Sequence, residues 1–166
     1  MTLTLDNIIH IKNKYKNKKI GFTCSCFDIL HCGHCIMLED SKKQCDILIV
    51  GLQTDPTLDR KTKNKPVQSY EERYISLNSI KYVDEIIEYS TEADLYELLK
   101  LLNPDVRILG SDWKDKPFTG YDLDINIHWH ERNHDWSTSS LRRRIHDSEQ
   151  KRLELISINK DLSFTL

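Results

Sequence analysis

No stretch of this sequence is apolar for long enough to cross a lipid bilayer. The longest apolar run, ILIVGL at residues 47–52, is far shorter than the roughly 20 residues that a membrane helix needs. The first twenty residues contain several lysines and no apolar segment of the kind found in secretory signals. We therefore expect a cytoplasmic protein that does not insert into a membrane.

The sequence also lacks a strong excess of charge of either sign. Its formal net charge is −2, so no overall field favours nucleic acid or an anionic membrane as a partner. Repeats and low-complexity segments are absent. With 39% apolar and 30% charged residues in a chain of 166, the composition is typical of one globular domain.

Five cysteines lie within a short part of the chain: Cys24, Cys26, Cys32, Cys35 and Cys45. The odd number and the missing export signal argue against a disulfide framework. Cys32 and Cys35 have the spacing of zinc ligands, so a structural zinc site is an alternative. Cys24 and Cys26, however, fall on a predicted buried strand, where cysteine behaves as a small apolar residue.

Apolar segments of two periods alternate along the chain. Strands are predicted at 20–26, 46–52, 83–89, 105–110 and 123–130, and helices at 4–17, 34–44, 70–80, 92–102 and 138–147. This alternation predicts a Rossmann-like α/β fold, a parallel five-stranded sheet with helices on both faces. Ligands of such sheets bind beyond the carboxyl ends of the strands, which makes segments 27–34, 53–68 and 110–122 the candidate site loops.

The first of these loops contains the segment CFDILHCGH, residues 26–34, which leaves a strand and enters a helix. A helix N-terminus offers unpaired N–H groups and favours anions. Gly33 permits close approach of the backbone to a ligand. His31 and His34 add hydrogen-bond donors, so the segment predicts a phosphate site.

Together with four further segments, CFDILHCGH resembles the HxGH nucleotidyltransferases, and more narrowly their cytidylyltransferase-like family. The further segments are KNKPVQSYEERY (63–74), KYVDEII (81–87), LGSDW (109–113) and ERNHDWSTSSLRRRI (131–145). LGSDW is most similar to a segment of glycerol-3-phosphate cytidylyltransferases. The resemblance implies one domain over residues 1–166, with an N-terminal helical extension (1–19), a catalytic core (20–146) and a C-terminal tail (147–166).

That resemblance implies transfer of CMP from CTP to sn-glycerol 3-phosphate, giving CDP-glycerol and pyrophosphate for a cell-surface polymer. It implies Mg2+ carried mainly by the nucleotide, with no dedicated metal ligands, and a homodimer. The implied catalytic residues are His31, His34, Lys63 and Arg132. The implied nucleotide-binding residues are Cys26, Phe27, Asp28, Gly33, Gly110, Asp112, Ser137, Thr138 and Ser139. The implied acceptor-binding residues are Arg73, Trp113 and Lys61, with Lys61 also the alternative to Lys63 as the phosphate-binding lysine.

Other functions stay open. The segment FTCSCFDILH and the helix before it are also similar to domains that activate heptose 1-phosphate with ATP. Relatives that use ethanolamine phosphate or FMN share the same site. Ser25, Ser111 and the turn at 134–136 depart from the family pattern, which leaves a nucleotide-binding module without turnover as a further hypothesis.

Two clusters of ionisable residues have a simpler interpretation as well. His128, His130 and His134 suggest a metal site, but partly exposed strand histidines beside the site are the favoured interpretation. The arginines at 142–144 are consecutive on a predicted helix, so they point in different directions and do not form a nucleic-acid patch.

Overall fold

The structure of the protein, a computed structural model, describes residues 4–163, and for residues 159–163 it describes the backbone alone. The chain forms two compact units, the first ending at Asn133 and the second beginning at His134. The boundaries at residues 19 and 146 and the assignment of one domain to the whole chain stay predictions. Within residues 4–163, none of the helices combines the length and apolar content of a membrane span.

The first unit is built around a parallel sheet of five strands in the order β3-β2-β1-β4-β5. The strands are β1 (Ile20–Ser25), β2 (Ile47–Gln53), β3 (Glu85–Tyr89), β4 (Val106–Gly110) and β5 (Ile127–His130). This confirms the predicted Rossmann-like fold. β5 is shorter than predicted, because residues before Ile127 form turns in which the amides of Leu123 and Ile125 bond to nearby carbonyls.

Helices cover both faces of this sheet. They are α1 (Leu5–Lys14), α2 (Cys32–Lys43), α3 (Tyr70–Asn78) and α4 (Glu92–Leu102). One apolar core joins α1 and α4 to the sheet through residues such as Ile11, Phe22 and Leu99. The other core contains Leu38 of α2 and Leu77 of α3. Each such side chain contributes roughly 1.5–3 kcal/mol by leaving water.

Local signals set most of the helix ends. Ser69 caps α3 and forms the predicted capping box with Glu72, since each side chain accepts a backbone N–H of the other residue. Asn103 ends α4 in the left-handed conformation, directly before Pro104. α2 begins at Cys32 rather than at the predicted residue 34, because His31 supplies the capping side chain.

The second unit contains α5, which runs over Thr138–Ser163. The predicted helix at 138–147 is therefore too short, and most of the predicted tail is helical. Residues 143–158 are exposed throughout, so no apolar stripe marks this part of the helix. Strong helix formers and the i,i+3 pair of Glu149 and Arg152 extend it instead.

The strand order positions the site. From β1 the chain moves to β2 on one side and later returns to β4 on the other side. The gap between the ends of β1 and β4 is therefore the topological switch point, where ligands bind in open parallel sheets.

Candidate functional site

The loops after β1, β2 and β4 meet at the carboxyl edge of the sheet, as predicted. β1 is paired with both β2 and β4, so the loop that follows β1 lies between the other two. This loop is residues 26–31, and it leads into the first turn of α2.

His31 and His34 cap α2 through reciprocal hydrogen bonds. The Nδ1 atom of His31 accepts the Gly33 amide at 3.1 Å, and the Nδ1 atom of His34 accepts the His31 amide at 3.4 Å. A backbone amide can only donate, so both Nδ1 atoms are unprotonated. Each neutral ring therefore carries its proton on Nε2, so each ring has one N–H donor.

The two imidazole rings are also held against each other. Their centroids are 4.0 Å apart with an interplanar angle of 25°, and Phe27 packs against His34 at 5.2 Å. Burial lowers the pKa of His34 to about 3, and a positive charge on His31, when that ring is protonated, and the charge of Arg132 act in the same direction. His34 is thus a neutral donor at physiological pH and not a cation.

This shift predicts an acid-side loss of stability. An unfolded histidine has a pKa of 6.5 and folded His34 one of about 3, so between these values the unfolded chain binds more protons. Stability falls as the pH drops below 6.5, by about 2 kcal/mol at pH 5. His34→Gln keeps a capping acceptor. Urea unfolding at pH 7 and pH 5 should show that the free energy of unfolding falls by about 2 kcal/mol less in this variant than in the wild type. Exposed His10→Gln serves as the control, and equal pH dependence in the His34 variant and the wild type contradicts the assignment.

The backbone of the loop after β1 is strained. Phe27 and Ile29 have φ values of 50° and 49°, in a region that non-glycine residues rarely adopt. The Phe27 side chain is buried, and the Ile29 amide donates to the side-chain oxygen of Gln68 at 2.7 Å. No sequence pattern pointed to Gln68, which holds this loop from the segment before α3.

Asp28 joins the loop after β1 to the loop after β2. Its Oδ1 atom accepts the amides of Val67 and Gln68, each at 3.0 Å, and its side chain is buried. Asp28 therefore fixes the end of the lysine-bearing segment relative to His31. Its predicted contact with the nucleotide stays a prediction.

Arg73 has a different position from the one predicted for an acceptor ligand. It is 2% exposed, and its guanidinium donates to the carbonyls of Gln68, Cys26, Gln53 and Thr54 at 2.5–3.3 Å. These carbonyls lie at the ends of β1 and β2 and before α3. Because its donors bind backbone, Arg73 holds the site loops together, which argues against direct contact with the acceptor phosphate.

Lys61 and Lys63 lie in the segment between β2 and α3, as predicted. Both side chains are exposed, and the Lys63 amide donates to the carbonyl of Arg60 in a turn. Exposed ammonium groups on this segment can reach a bound anion without losing a protein partner. Which lysine does so stays a prediction.

Gly110, Asp112 and Trp113 stand at the end of β4, where a short 3₁₀ helix spans Ser111–Trp113. A Cβ atom at residue 110 would lie 2.5 Å from Oδ1 of Asp112, so a larger residue there would have to displace this carboxylate. That Cβ position at residue 110 would also lie 4.0 Å from Cδ of Arg132. Arg132 is also near enough to His34 for its positive charge to help lower the pKa of that histidine.

The second unit contains Ser137, Thr138 and Ser139 at the beginning of α5. The Ser137 hydroxyl accepts the Ser140 amide at 3.1 Å, which confirms the predicted cap of this helix. The contact of these three residues with nucleotide phosphates stays a prediction.

Two of the three histidines considered as metal ligands bind a carboxylate. Nε2 of His128 and Nδ1 of His130 lie 3.0 and 2.8 Å from the same oxygen of Asp40 on α2. Burial opposes ionisation of Asp40, but these hydrogen bonds outweigh it and lower its pKa. His130 is buried rather than partly exposed as expected. In the described part of the chain, no three His, Cys, Asp or Glu side chains are placed to hold a metal.

Comparisons with known proteins agree with this fold. A family model described as cytidylyltransferase-like matches residues 22–144. The bifunctional protein HldE of Wolinella succinogenes is 36% identical over 149 residues, covering 88% of this chain and 31% of that protein. HldE of Campylobacter jejuni is 36% identical over 137 residues, covering 82% of this chain and 30% of that protein. The chain thus spans less than a third of the length of these relatives.

Solved structures show the same architecture. A lipopolysaccharide core biosynthesis protein from Thermoplasma volcanium is 26% identical with a TM-score of 0.57, and the match covers 73% of this chain and 100% of that one. Pantoate-β-alanine ligase from Francisella tularensis shares the fold, at 19% identity and a TM-score of 0.53, over 81% of this chain and 68% of that one. On the family model and the HldE relatives, the chain belongs to the cytidylyltransferase-like family of the HxGH nucleotidyltransferases.

Proposed function

We propose that the protein transfers a nucleotidyl group from a nucleoside triphosphate to a phosphorylated sugar, with ATP and heptose 1-phosphate as the substrates. The observation that carries the transfer reaction is the capped pair His31 and His34, whose Nε2–H groups are fixed as donors at a helix N-terminus. Two neutral donors at the positive end of a helix suit the phosphates of a nucleotide.

The proposed reaction is a displacement at the α-phosphorus. An oxygen of the acceptor phosphate forms the new P–O bond while the bond to the leaving pyrophosphate breaks. A phosphate monoester is largely dianionic at neutral pH, with a second pKa of about 6, so its attack needs no general base. Negative charge grows on the α-phosphate oxygens and on pyrophosphate, and fixed donors stabilise it.

The roles proposed for the other residues follow from their charge. Lys63, or Lys61 in its place, and Arg132 neutralise phosphate oxygens. Ser137, Thr138 and Ser139 offer hydroxyls and a helix N-terminus to the β- and γ-phosphates, while Asp112 and Trp113 contact nucleotide and acceptor. Mg2+ carried mainly by the phosphates supplies further neutralisation when bound. A homodimer and a cytoplasmic location also stay predictions.

The choice of substrates rests on the relatives. Both relatives described above are HldE proteins, and the matched structure at 26% identity belongs to lipopolysaccharide core biosynthesis. They favour the resemblance to domains that activate heptose 1-phosphate with ATP over the one to glycerol-3-phosphate cytidylyltransferases. CTP with glycerol 3-phosphate is the second candidate, and its support is the segment LGSDW at 109–113.

A pyrophosphate-release screen tests the proposal. ATP, CTP, UTP and GTP are each combined with heptose 1-phosphate, glycerol 3-phosphate, ethanolamine phosphate, phosphocholine and FMN in the presence of Mg2+. We expect release with ATP and heptose 1-phosphate and product analysis to give ADP-heptose. Release only with CTP and glycerol 3-phosphate refutes the proposed substrates while the reaction class stands. Nucleotide binding without release for any pair favours a non-catalytic module.

A further inference from the structure

Glu92, the first residue of α4, contacts both of the loops that flank the loop after β1. One carboxylate oxygen lies 3.1 Å from Nη1 of Arg60, in the segment 54–69 that also bears Lys61 and Lys63. The other carboxylate oxygen accepts the hydroxyl of Thr119, in the segment 111–126 that also bears Asp112 and Trp113. One side chain thus joins two segments that are distant in sequence.

The segment 54–69 is held at further points near Glu92. Nη2 of Arg60 donates to the side chain of Gln53 at 2.5 Å, and Gln53 is 1% exposed at the end of β2. The carboxylate of Asp59 accepts the Glu92 amide at 2.5 Å. Arg60 therefore lies between a rigid strand end and the first turn of a helix, and Glu92 at 3.1 Å is a nearer charge partner than Asp59, whose Oδ1 lies 4.0 Å from Nε of Arg60.

The segment 111–126 is held in a comparable way. Arg107 of β4 is 2% exposed and donates to the carbonyl of Thr119, and its guanidinium lies 5.4 Å from the centre of the Phe118 ring. Thr119 is thus bound through its carbonyl to β4 and through its hydroxyl to α4. Loss of the Glu92 carboxylate removes the second of these attachments.

Glu92 contributes to stability mainly because it binds Arg60 and Thr119 at the same time, and less through the ion pair with Arg60 alone. The side chains of Arg60 and Glu92 are 30% and 32% exposed, and such a pair alone contributes little. Both oxygens of Glu92 have a separate partner, however, and Nε of Arg60 is already buried without a hydrogen bond in the described structure. Removing the carboxylate charge leaves this half-buried guanidinium with less compensation.

We propose that Glu92 is a positioning residue that fastens the segments 54–69 and 111–126 to one helix end, so that the lysines and the Asp112–Trp113 turn move together. The inference rests on the proposed function only where it concerns substrates. If the lysines bind the nucleotide and the turn binds the acceptor, loosening Glu92 impairs the binding of both substrates at once.

The test compares Glu92→Gln with Glu97→Gln, since Glu97 is an exposed carboxylate on the same helix that pairs with Lys100. Hydrogen exchange followed by mass spectrometry reports the two segments without any need for activity. We expect exchange in both segments to accelerate about fivefold in Glu92→Gln, the factor that corresponds to the net loss of one ordinary hydrogen bond, and not in Glu97→Gln. KM for both substrates should rise about fivefold in Glu92→Gln, with a smaller change in kcat.

Thr119 provides the second pair of variants. Thr119→Val removes the hydroxyl and should accelerate exchange in residues 111–126, whereas Thr119→Ser retains the hydroxyl and the wild-type rate. Acceleration in only one segment of Glu92→Gln, or throughout the protein, overturns the proposal. If the wild type releases no pyrophosphate, the proposed function fails, while the exchange rates still decide the role of Glu92.

Discussion

His31→Ala and His34→Ala are each expected to lower turnover about a hundredfold or more, the loss typical of removing one transition-state donor. Each ring presents one Nε2–H, and the reciprocal Nδ1 hydrogen bonds fix both tautomers. Alanine at either position removes one donor and also the stacking contact at 4.0 Å that helps to orient the partner ring. The two losses should therefore not add in the double variant.

Steady-state pyrophosphate release with the active substrate pair measures this effect. His10→Ala, which changes an exposed histidine on α1, is the matched control. Circular dichroism should show that the variants keep their fold, since losing the capping side chain of His31 removes only about 1 kcal/mol. Near-normal turnover in both variants would show that reaction does not occur at this site.

Arg73→Met is expected to destabilise the protein by about 3 kcal/mol or more, through the carbonyls that it leaves without a donor. Methionine fills much of the volume but donates nothing, so carbonyls at the ends of β1 and β2 and before α3 become buried and unpaired. Arg73→Lys should recover only part of the loss, because an ammonium group lacks the planar array of five donors.

Urea unfolding followed by circular dichroism measures the change in stability, with exposed Arg143→Met as the control. The same variants separate the two roles considered for Arg73. If Arg73 binds the acceptor phosphate, the substitution raises the acceptor KM and leaves stability near that of the wild type. If Arg73 holds the loops, the free energy of unfolding falls, and any change in KM or kcat affects both substrates.

The fold and the centre of the site follow from patterns that are local in sequence. The order of the elements was predicted from apolar runs typical of strands, from the helical segments between them and from the cap at Ser69. The segment CFDILHCGH placed two donors and a glycine at a helix N-terminus within nine residues. The end of α5 was not predicted, because an exposed helix buries no face and therefore needs no apolar residues at helical spacing.

The sequence alone thus determined the fold class, the family and the position of the His31–His34 pair, because neighbours along the chain create those features. Only the tertiary structure showed that Arg73 holds backbone carbonyls, that Asp40 joins two histidines and that Glu92 joins two loops. The partners of Asp40 are 88 and 90 residues away, and Cys26 is 47 residues from Arg73. No local pattern records such contacts, since the folding of the intervening chain brings the residues together.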